Sequence, residues 1–402
     1  MLPKGWNLCQ FGEVAEVGSG QVDPKVEPYA SMIHIGPENI ESGTGRILSP
    51  RKCSELGLIS GKYEFDEHAV IYSKIRPHLN KVCFPSFKGV CSADAYPIWP
   101  DKTKLLPEYL KHYMLGRTFE KRAVACSMRT GMPKINREDL DGIPIVVPPL
   151  SEQHRIVQIL STLDWAISTS ENLLANAQGH MEGLLQHLLV TPAAGGQWDI
   201  RPISEISTRV QRRAGEDEEL PVLMISSGSG FVRQDEKYSR FMAGKSVENY
   251  IALDRGEFAY NKGNSKSYEF GCVFPLNTCE RGLVPNVYVS FKLSPNLNAV
   301  FYEHLFRADF LHDQLGALVN TGVRNNGLLN IKPVDFLACK VPVPPLDVQN
   351  RVAEVLSTAA KWVALQERDL ELLKQEKAAL MSQLLTGKRR VKLLDAETEA
   401  HA

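Results

Sequence analysis

The sequence has no uninterrupted apolar stretch of the roughly 18 residues that indicate a membrane-spanning helix. Its first residues, MLPKGWNLCQ, also lack the basic and then apolar pattern of a secretory signal. Eight cysteines are scattered without any C-x-x-C pair, so neither a zinc site nor a disulfide framework is indicated. We therefore expect a cytoplasmic or nucleoid-associated protein with reduced thiols and no membrane partner.

Motifs of several enzyme classes are missing as well. The N-P-P-[YF] or D-P-P-[YF] loop of adenine methyltransferases does not occur, because both double prolines followed by Leu are preceded by Val. SRFMAGKS, residues 239–246, ends like a phosphate-binding loop, but Ser239 stands where the first glycine is needed. Neither H-E-x-x-H nor an apparent nuclease cluster is present. We expect no catalytic residues and no metal ligands on this chain.

An excess of charge of one sign is also lacking. The formal net charge is −1, and the most basic segment, 1–147, has 19 basic and 17 acidic residues. Long-range electrostatic attraction would therefore not hold this chain on DNA by itself. Any DNA contact has to be local, or shared with a partner that carries more positive charge.

One feature that is present is a repeated helix start. PPLSEQHRIVQILST at 148–162 returns as PPLDVQNRVAEVLST at 344–358, and the match continues without gaps for some 40 positions at an offset of 196. Apolar residues then recur in alternating steps of three and four, which is typical of a coiled-coil seam. The predicted seam consists of Leu160, Leu163, Ile167, Leu174, Met181, Leu184 and Leu188, with Leu356, Ala359, Val363, Leu370, Leu373, Leu380 and Leu384.

The repeat predicts four segments. They are a first domain (1–147), a central helix (148–192), a second domain (193–342) and a C-terminal helix with its tail (343–402). Each domain mixes short β-like runs with late helical runs, which indicates an α/β (or α+β) fold. Because neither seam is satisfied alone, we expect the two helices to pack as an antiparallel coiled coil with a pseudo-twofold repeat.

Similar helices joined to dissimilar domains suggest one scaffold that carries two different recognition domains. Basic and amide side chains near predicted strand ends can contact phosphates and base edges. In the first domain these candidates are Lys74, Arg76, His78, Asn80, Lys81, Arg129 and Lys134, and in the second Asn261, Lys262, Asn264, Lys266, Arg324 and Asn325. An ordinary solvated turn is the alternative reading of each stretch.

Two matched pairs, Gln153 with Arg155 and Gln349 with Arg351, fall in the first turns of the helices. Because the helix dipole disfavours a positive charge there, we expect a specific partner for the arginines. A bond to the preceding domain and a contact with a partner subunit are the two alternatives.

The VVPPLSEQHRIVQIL and VPVPPLDVQNRVAEVL junctions, the heptad helices and AVIYSKIRPHLNKV resemble the DNA specificity subunits of type I restriction-modification systems. The resemblance implies two target recognition domains that bind double-stranded DNA at a split, asymmetric site. It also implies helices that set the spacing and dock two methyltransferase subunits, which carry S-adenosylmethionine, while restriction endonuclease/translocase subunits join the complex. No cofactor is expected on this chain.

Two alternatives remain open. The chain could serve a type IIB-like enzyme, in which methylation and cleavage share one partner polypeptide. It could also be a coiled-coil scaffold whose domains bind proteins, although that interpretation gives no reason for two similarly built but diverged domains.

Overall fold

A computed structural model describes residues 2–127, 133–214, 220–237, 249–263, 265–319 and 329–392. The chain divides into two compact units, one formed by residues 1–171 with 368–402 and the other by residues 172–367. Each unit therefore contains one globular domain together with part of each long helix. None of the helices in the described ranges is long and apolar enough to cross a membrane.

The first unit is built on short strands. These are β1 (Asn7–Gln10), β2 (Ala15–Val17), β3 (Ile33–Ile35), β4 (Arg51–Lys52), β5 (Tyr63–Phe65), β6 (Val70–Ser73), β7 (Val82–Cys83), β8 (Gly89–Cys91), β9 (Ala95–Pro100) and β10 (Pro144–Val147). The helices of its domain are α1 (Cys53–Leu56), α2 (Pro107–Leu115), α3 (Arg117–Ser127) and α4 (Arg137–Asp141), after which α5 (Leu150–Leu185) begins.

Three sheets result from these strands. β1 pairs with β10, an antiparallel sheet has the order β2-β9-β6-β7, and a mixed sheet has the order β4-β3-β8-β5 with β3 and β8 parallel. The larger core lies between the second sheet and α2 and α3, and Phe11, Tyr72, Tyr109 and Phe119 are fully buried in it. A smaller core lies against the mixed sheet, so the domain has two hydrophobic centres.

The second unit repeats much of this order. Its domain contains β11 (Asp199–Pro202), β12 (Ser207–Arg209), β13 (Leu223–Ser226), β14 (Gly230–Arg233), β15 (Ile251–Asp254), β16 (Phe258–Asn261), β17 (Cys272–Pro275), β18 (Arg281–Val284), β19 (Val289–Leu293) and β20 (Lys340–Val343). Its helices are α6 (Thr191–Ala194), α7 (Ile203–Ile206), α8 (Gln234–Lys237), α9 (Ala299–Arg307), α10 (His312–Leu318) and α11 (Pro333–Leu337), followed by α12 (Leu346–Leu384). A π-helical turn, Gln186–Val190, connects α5 to α6.

The two domains share a frame and differ in what is attached to it. In the frame, β1–β10 corresponds to β11–β20, and β2-β9-β6-β7 corresponds to β12-β19-β16-β17. Even the register agrees, since Asn7 faces Val147 and Asp199 faces Val343. Outside the frame, the mixed four-stranded sheet of the first domain is replaced by two separate two-stranded antiparallel sheets, β13-β14 and β15-β18. The predicted fold of two α/β domains, each followed by a long helix, is confirmed.

The long helices run antiparallel within each unit. In the first unit, Ile156 and Leu160 near the start of α5 share a core with Leu384 near the end of α12. In the second unit, Met181 and Leu184 near the end of α5 pack on the core that contains Leu356 of α12. Every predicted seam residue is buried or half-buried, whereas Trp165, Trp362 and Leu372 on other faces are exposed. The antiparallel pairing follows because only this direction brings the start of one helix beside the end of the other.

Candidate nucleic-acid interface

Two stretches of the first domain that lie far apart in the sequence meet at the end of β6. The backbone N–H of Ile135 donates to the Lys74 carbonyl at 2.9 Å, and that of Arg76 donates to the Pro133 carbonyl at 2.8 Å. Ile75 and Lys134 form an antiparallel bridge between these bonds. The Lys74–Lys81 loop and the residues around Lys134 therefore form one surface.

Positive charge is concentrated at this surface. Burial lowers the pKa of Lys74, and the nearby Lys134 and Arg137 lower it further. The Lys74 ammonium lies 5.2 Å from the centre of the Tyr96 ring, and the Arg137 guanidinium lies 5.1 Å from the same centre. Because like charges held together disfavour their charged forms, an anion is stabilised beside them. This arrangement suits a DNA phosphate.

Arg137 is the residue that the sequence did not single out. Its guanidinium donates to the Val17 carbonyl at 2.7 Å and to the Gly18 carbonyl, which fixes its position over the Tyr63 and Tyr96 rings. The sequence signal for it is weak: Arg137 is a basic residue that follows Lys134 by three positions, at the start of α4.

Arg76 and His78 are exposed on the same loop, Arg76 just before the turn Pro77–Leu79 and His78 within it. Arg76 has a positive φ of 49°, a backbone conformation that residues other than glycine rarely adopt. Arg76 and His78 therefore remain candidates for contacts with phosphates or base edges. Arg129, a further candidate, lies outside the described residues.

The structure corrects two members of the predicted set. Asn80 is buried, and its side-chain amide donates to the Leu115 carbonyl at 3.0 Å. The Lys81 ammonium donates to the Pro37 carbonyl at 2.5 Å and is half-buried. Both side chains hold the loop onto the domain, so we remove them from the predicted DNA contacts.

The second domain repeats the backbone arrangement. Lys262 follows β16 as Lys74 follows β6, and its carbonyl accepts from the Leu329 N–H at 3.1 Å. Burial and the nearby Arg209 lower the pKa of Lys262. Asn261 caps the turn by accepting from the Gly263 N–H at 3.0 Å, and Lys266 is exposed. Asn264, Arg324 and Asn325 lie outside the described residues.

The helix junctions are held by glutamine in both units. Gln153 and Gln349 are almost fully buried, with exposed fractions of 0% and 1%, and each bonds to backbone atoms of the preceding domain. The arginines bond elsewhere than to the preceding domain, and their contact with a partner subunit stays a prediction. Arg155 donates to Gln158 at 3.0 Å and Arg351 to Asp347 at 3.1 Å, so both bond within their own helix, where a nearby oxygen offsets the unfavourable dipole.

Among the described residues, no group of three or more His, Cys, Asp or Glu side chains is arranged to hold a metal ion. Each domain therefore has a cationic strand end on the same type of frame. Each domain is joined to a long helix through a buried glutamine.

Residues 3–177 match the family model of the type I restriction modification DNA specificity domain. The first domain and most of α5 are therefore similar to this family of DNA specificity subunits. The EcoDI type I restriction enzyme specificity subunit of Escherichia coli is 38% identical over 200 residues, which is 49% of this chain and 44% of that relative. The putative MjaX specificity subunit of Methanocaldococcus jannaschii is 24% identical across 97% of this chain and 95% of its own length.

Solved structures agree on the fold. The type I restriction-modification S subunit from M. genitalium has a TM-score of 0.59 at 12% identity, covering 94% of this chain and 96% of that one. A chain from a structure describing complex assembly of the type I system has a TM-score of 0.58 at 20% identity, covering 97% of this chain and 100% of that one. The fold shared with these structures covers both domains, whose sheets β2-β9-β6-β7 and β12-β19-β16-β17 have corresponding orders.

Proposed function

We propose that each globular domain of this specificity subunit reads one half of a split DNA target, and that the two long helices fix the distance between the halves. The observation that carries the proposal is the repeated frame with its two diverged attachments. If the attachments were the same, the repeated frame would give two identical domains, and these would recognise a palindrome. Because the attached sheets differ, the two half-sites should have different sequences.

Direct contacts to DNA would be made at the ends of β6 and β16. Lys74, Lys134 and Arg137 would neutralise phosphates in the first half-site, with Arg76 available for base edges. Lys262, together with Arg209 on the neighbouring sheet edge, would do so in the second. The matching carbonyl-to-amide bonds at Lys74 and Lys262 support equivalent roles for the two strand ends.

Two methyltransferase subunits would dock on the helix faces that point away from the seam. Val355, Trp362 and Leu365 are 45%, 54% and 52% exposed, and their spacing places them on one face of α12. Trp165 on α5 is 71% exposed. Exposed tryptophan beside aliphatic residues is typical of interface hot spots, and single-chain stability does not account for it.

A cavity within the first unit would offer a partner subunit a further contact. It has a volume of about 1160 Å³ and is lined by the first domain, α5 and α12. At its wall the ammonium groups of Lys111 and Lys377 share the single carboxylate of Asp164. An acidic side chain of a partner subunit would neutralise the remaining positive charge.

Chemistry would reside in the partners. The methyltransferase subunits would bind S-adenosylmethionine and transfer its methyl group to adenine, and endonuclease/translocase subunits would join the same complex. This chain would supply sequence recognition alone.

The test is genome-wide mapping of methylated adenines in a host without methylation of its own. The host expresses this chain with the methyltransferase encoded beside it. We expect methylation at one split motif, which should disappear when this chain is omitted. A soluble complex that methylates nothing, or methylates without this chain, would contradict the proposal.

A further inference from the structure

The buried glutamine at each junction joins three separate elements. The Gln153 carbonyl oxygen accepts from the Leu106 N–H at 2.9 Å, and Leu106 is the residue that precedes α2. Its amide nitrogen donates to the Lys104 carbonyl at 2.7 Å and to the Pro148 carbonyl at 2.8 Å. One side chain therefore connects the first turn of α5, the proline turn after β10 and the loop that leads into the domain helix.

Gln349 makes the equivalent connections in the second unit. Its carbonyl oxygen accepts from the N–H of Asn298 at 2.8 Å, and Asn298 caps α9, the counterpart of α2. Its amide nitrogen donates to the Pro344 carbonyl at 2.8 Å. The two domains have diverged in their attached sheets, yet two bonds of this joint recur in both: one from the N–H before the domain helix and one to the carbonyl of the proline turn.

Glutamine is the side chain that this joint requires. A carboxamide presents one acceptor and two donors in a plane. At Gln153 they meet one N–H and two carbonyls, and at Gln349 one N–H and one carbonyl. Glutamate would keep only the acceptor and would bring a buried charge. Methionine has a similar length and fills the space, but it would leave those backbone groups without their partner.

We propose that Gln153 and Gln349 are positioning residues that fix the angle of each recognition domain on its long helix, and thereby the permitted spacing between half-sites. This inference rests on the proposed function. Neighbouring base pairs differ by about 3.4 Å along the DNA, since one turn of about 34 Å holds about ten. A domain that can rock on its helix by a few ångströms would therefore accept a spacer one base pair longer or shorter.

The experiment compares Gln153→Met, Gln349→Met and the double variant with the wild-type chain in the methylation-mapping host. We expect the same half-site sequences, but methylation at sites whose spacer is one base pair too long or too short. Discrimination against those sites should fall about tenfold in each single variant, which corresponds to about 1.4 kcal/mol.

A purely stabilising role predicts a different result. It would reduce methylation at all sites together and leave the spacer preference unchanged, which would overturn the inference. Gln375→Met is the matched control, because Gln375 is exposed on α12 outside the first turn of either long helix and should change neither quantity.

A second measurement on the isolated chain separates failure of the joint from failure of the proposed function. Two labels, introduced as non-natural amino acids at the exposed Ile59 of the first domain and at Gln158 of α5, report the distance between domain and helix. Gln153→Met should broaden that distance distribution, whether or not any DNA is methylated. An unchanged distribution would overturn the positioning role even if the wild-type chain directs methylation as proposed.

Discussion

Asp164 offers a sharp test of how the long helices are held in the first unit. Its carboxylate accepts from the Lys377 ammonium and lies 3.7 Å from that of Lys111. The side chains of Lys377, Lys111 and Asp164 are 11%, 18% and 30% exposed, so water screens these charges only partly. Asp164→Asn would leave two ammonium groups close together without their shared counterion.

Removing one partner of a buried ion pair costs roughly 3 to 5 kcal/mol. We take the lower end, about 3 kcal/mol, because Asp164 is nearly one-third exposed. A unit of about 200 residues loses about 2 to 4 °C of melting temperature per kcal/mol. The expected loss for Asp164→Asn is therefore about 6 to 12 °C in the transition of this unit.

Lys377→Met should be much milder, because Lys111 and Asp164 then remain as a one-to-one pair. Combined with Asp164→Asn, it should restore part of the lost stability by removing one of the two repelling cations. The exposed Asp369→Asn on α12 is the control and should change the melting temperature by less than about 2 °C.

The pH dependence has a definite sign. The pKa of Lys111 is lowered, chiefly by burial and also by Lys377. The folded state therefore binds fewer protons than the unfolded state between the lowered pKa and the ordinary value of about 10.4. Stability in Asp164→Asn should accordingly rise with pH through that window. If Asp164→Asn melted within 2 °C of wild type, or if its melting temperature fell as the pH rises toward 10, Asp164 would not be the shared counterion of the two lysines.

Two further predictions concern the surfaces. Replacing Lys74, Arg76 and Lys134 together with glutamine should weaken DNA binding by the methyltransferase complex and reduce the salt dependence by about one unit of slope per lost phosphate contact. The exposed Lys102→Gln is the control. Equal affinity of the triple variant and wild type at moderate salt would exclude this surface from the DNA contacts. Trp362→Ala should reduce methyltransferase retention in a pull-down at least tenfold without lowering the melting temperature, whereas the neighbouring exposed Lys361→Ala should not; unchanged retention would place docking elsewhere.

Sequence reasoning located the elements that depend on local pattern. The heptad spacing identified the buried face of α5 and α12, because a helix places residues three and four apart on one side. The same repeat led us to expect a specific partner for Arg155 and Arg351, with a bond to the preceding domain as one alternative, whereas Gln153 and Gln349 are the residues that make such bonds.

Contacts between distant segments could not be predicted in the same way. Nothing in the sequence pairs Ile75 with Lys134, because that bridge depends on how α3 returns the chain to the end of β6. Asn80 and Lys81 are polar and follow a proline turn, so they read as surface residues. Their burial is decided by Leu115 and Pro37, which belong to other elements.

In the proposed function, the two domains are built on the same type of frame, and each recognises its own half-site. The most direct measurement is methylation mapping of a chain in which a second copy of Asn7–Val147 replaces Asp199–Val343, joined at strands whose pairing matches in both domains. Two identical heads on antiparallel helices should methylate a palindrome built from one of the wild-type half-sites. If the hybrid folds and binds the methyltransferase but keeps the wild-type asymmetric motif, or recognises an unrelated sequence, the account is contradicted.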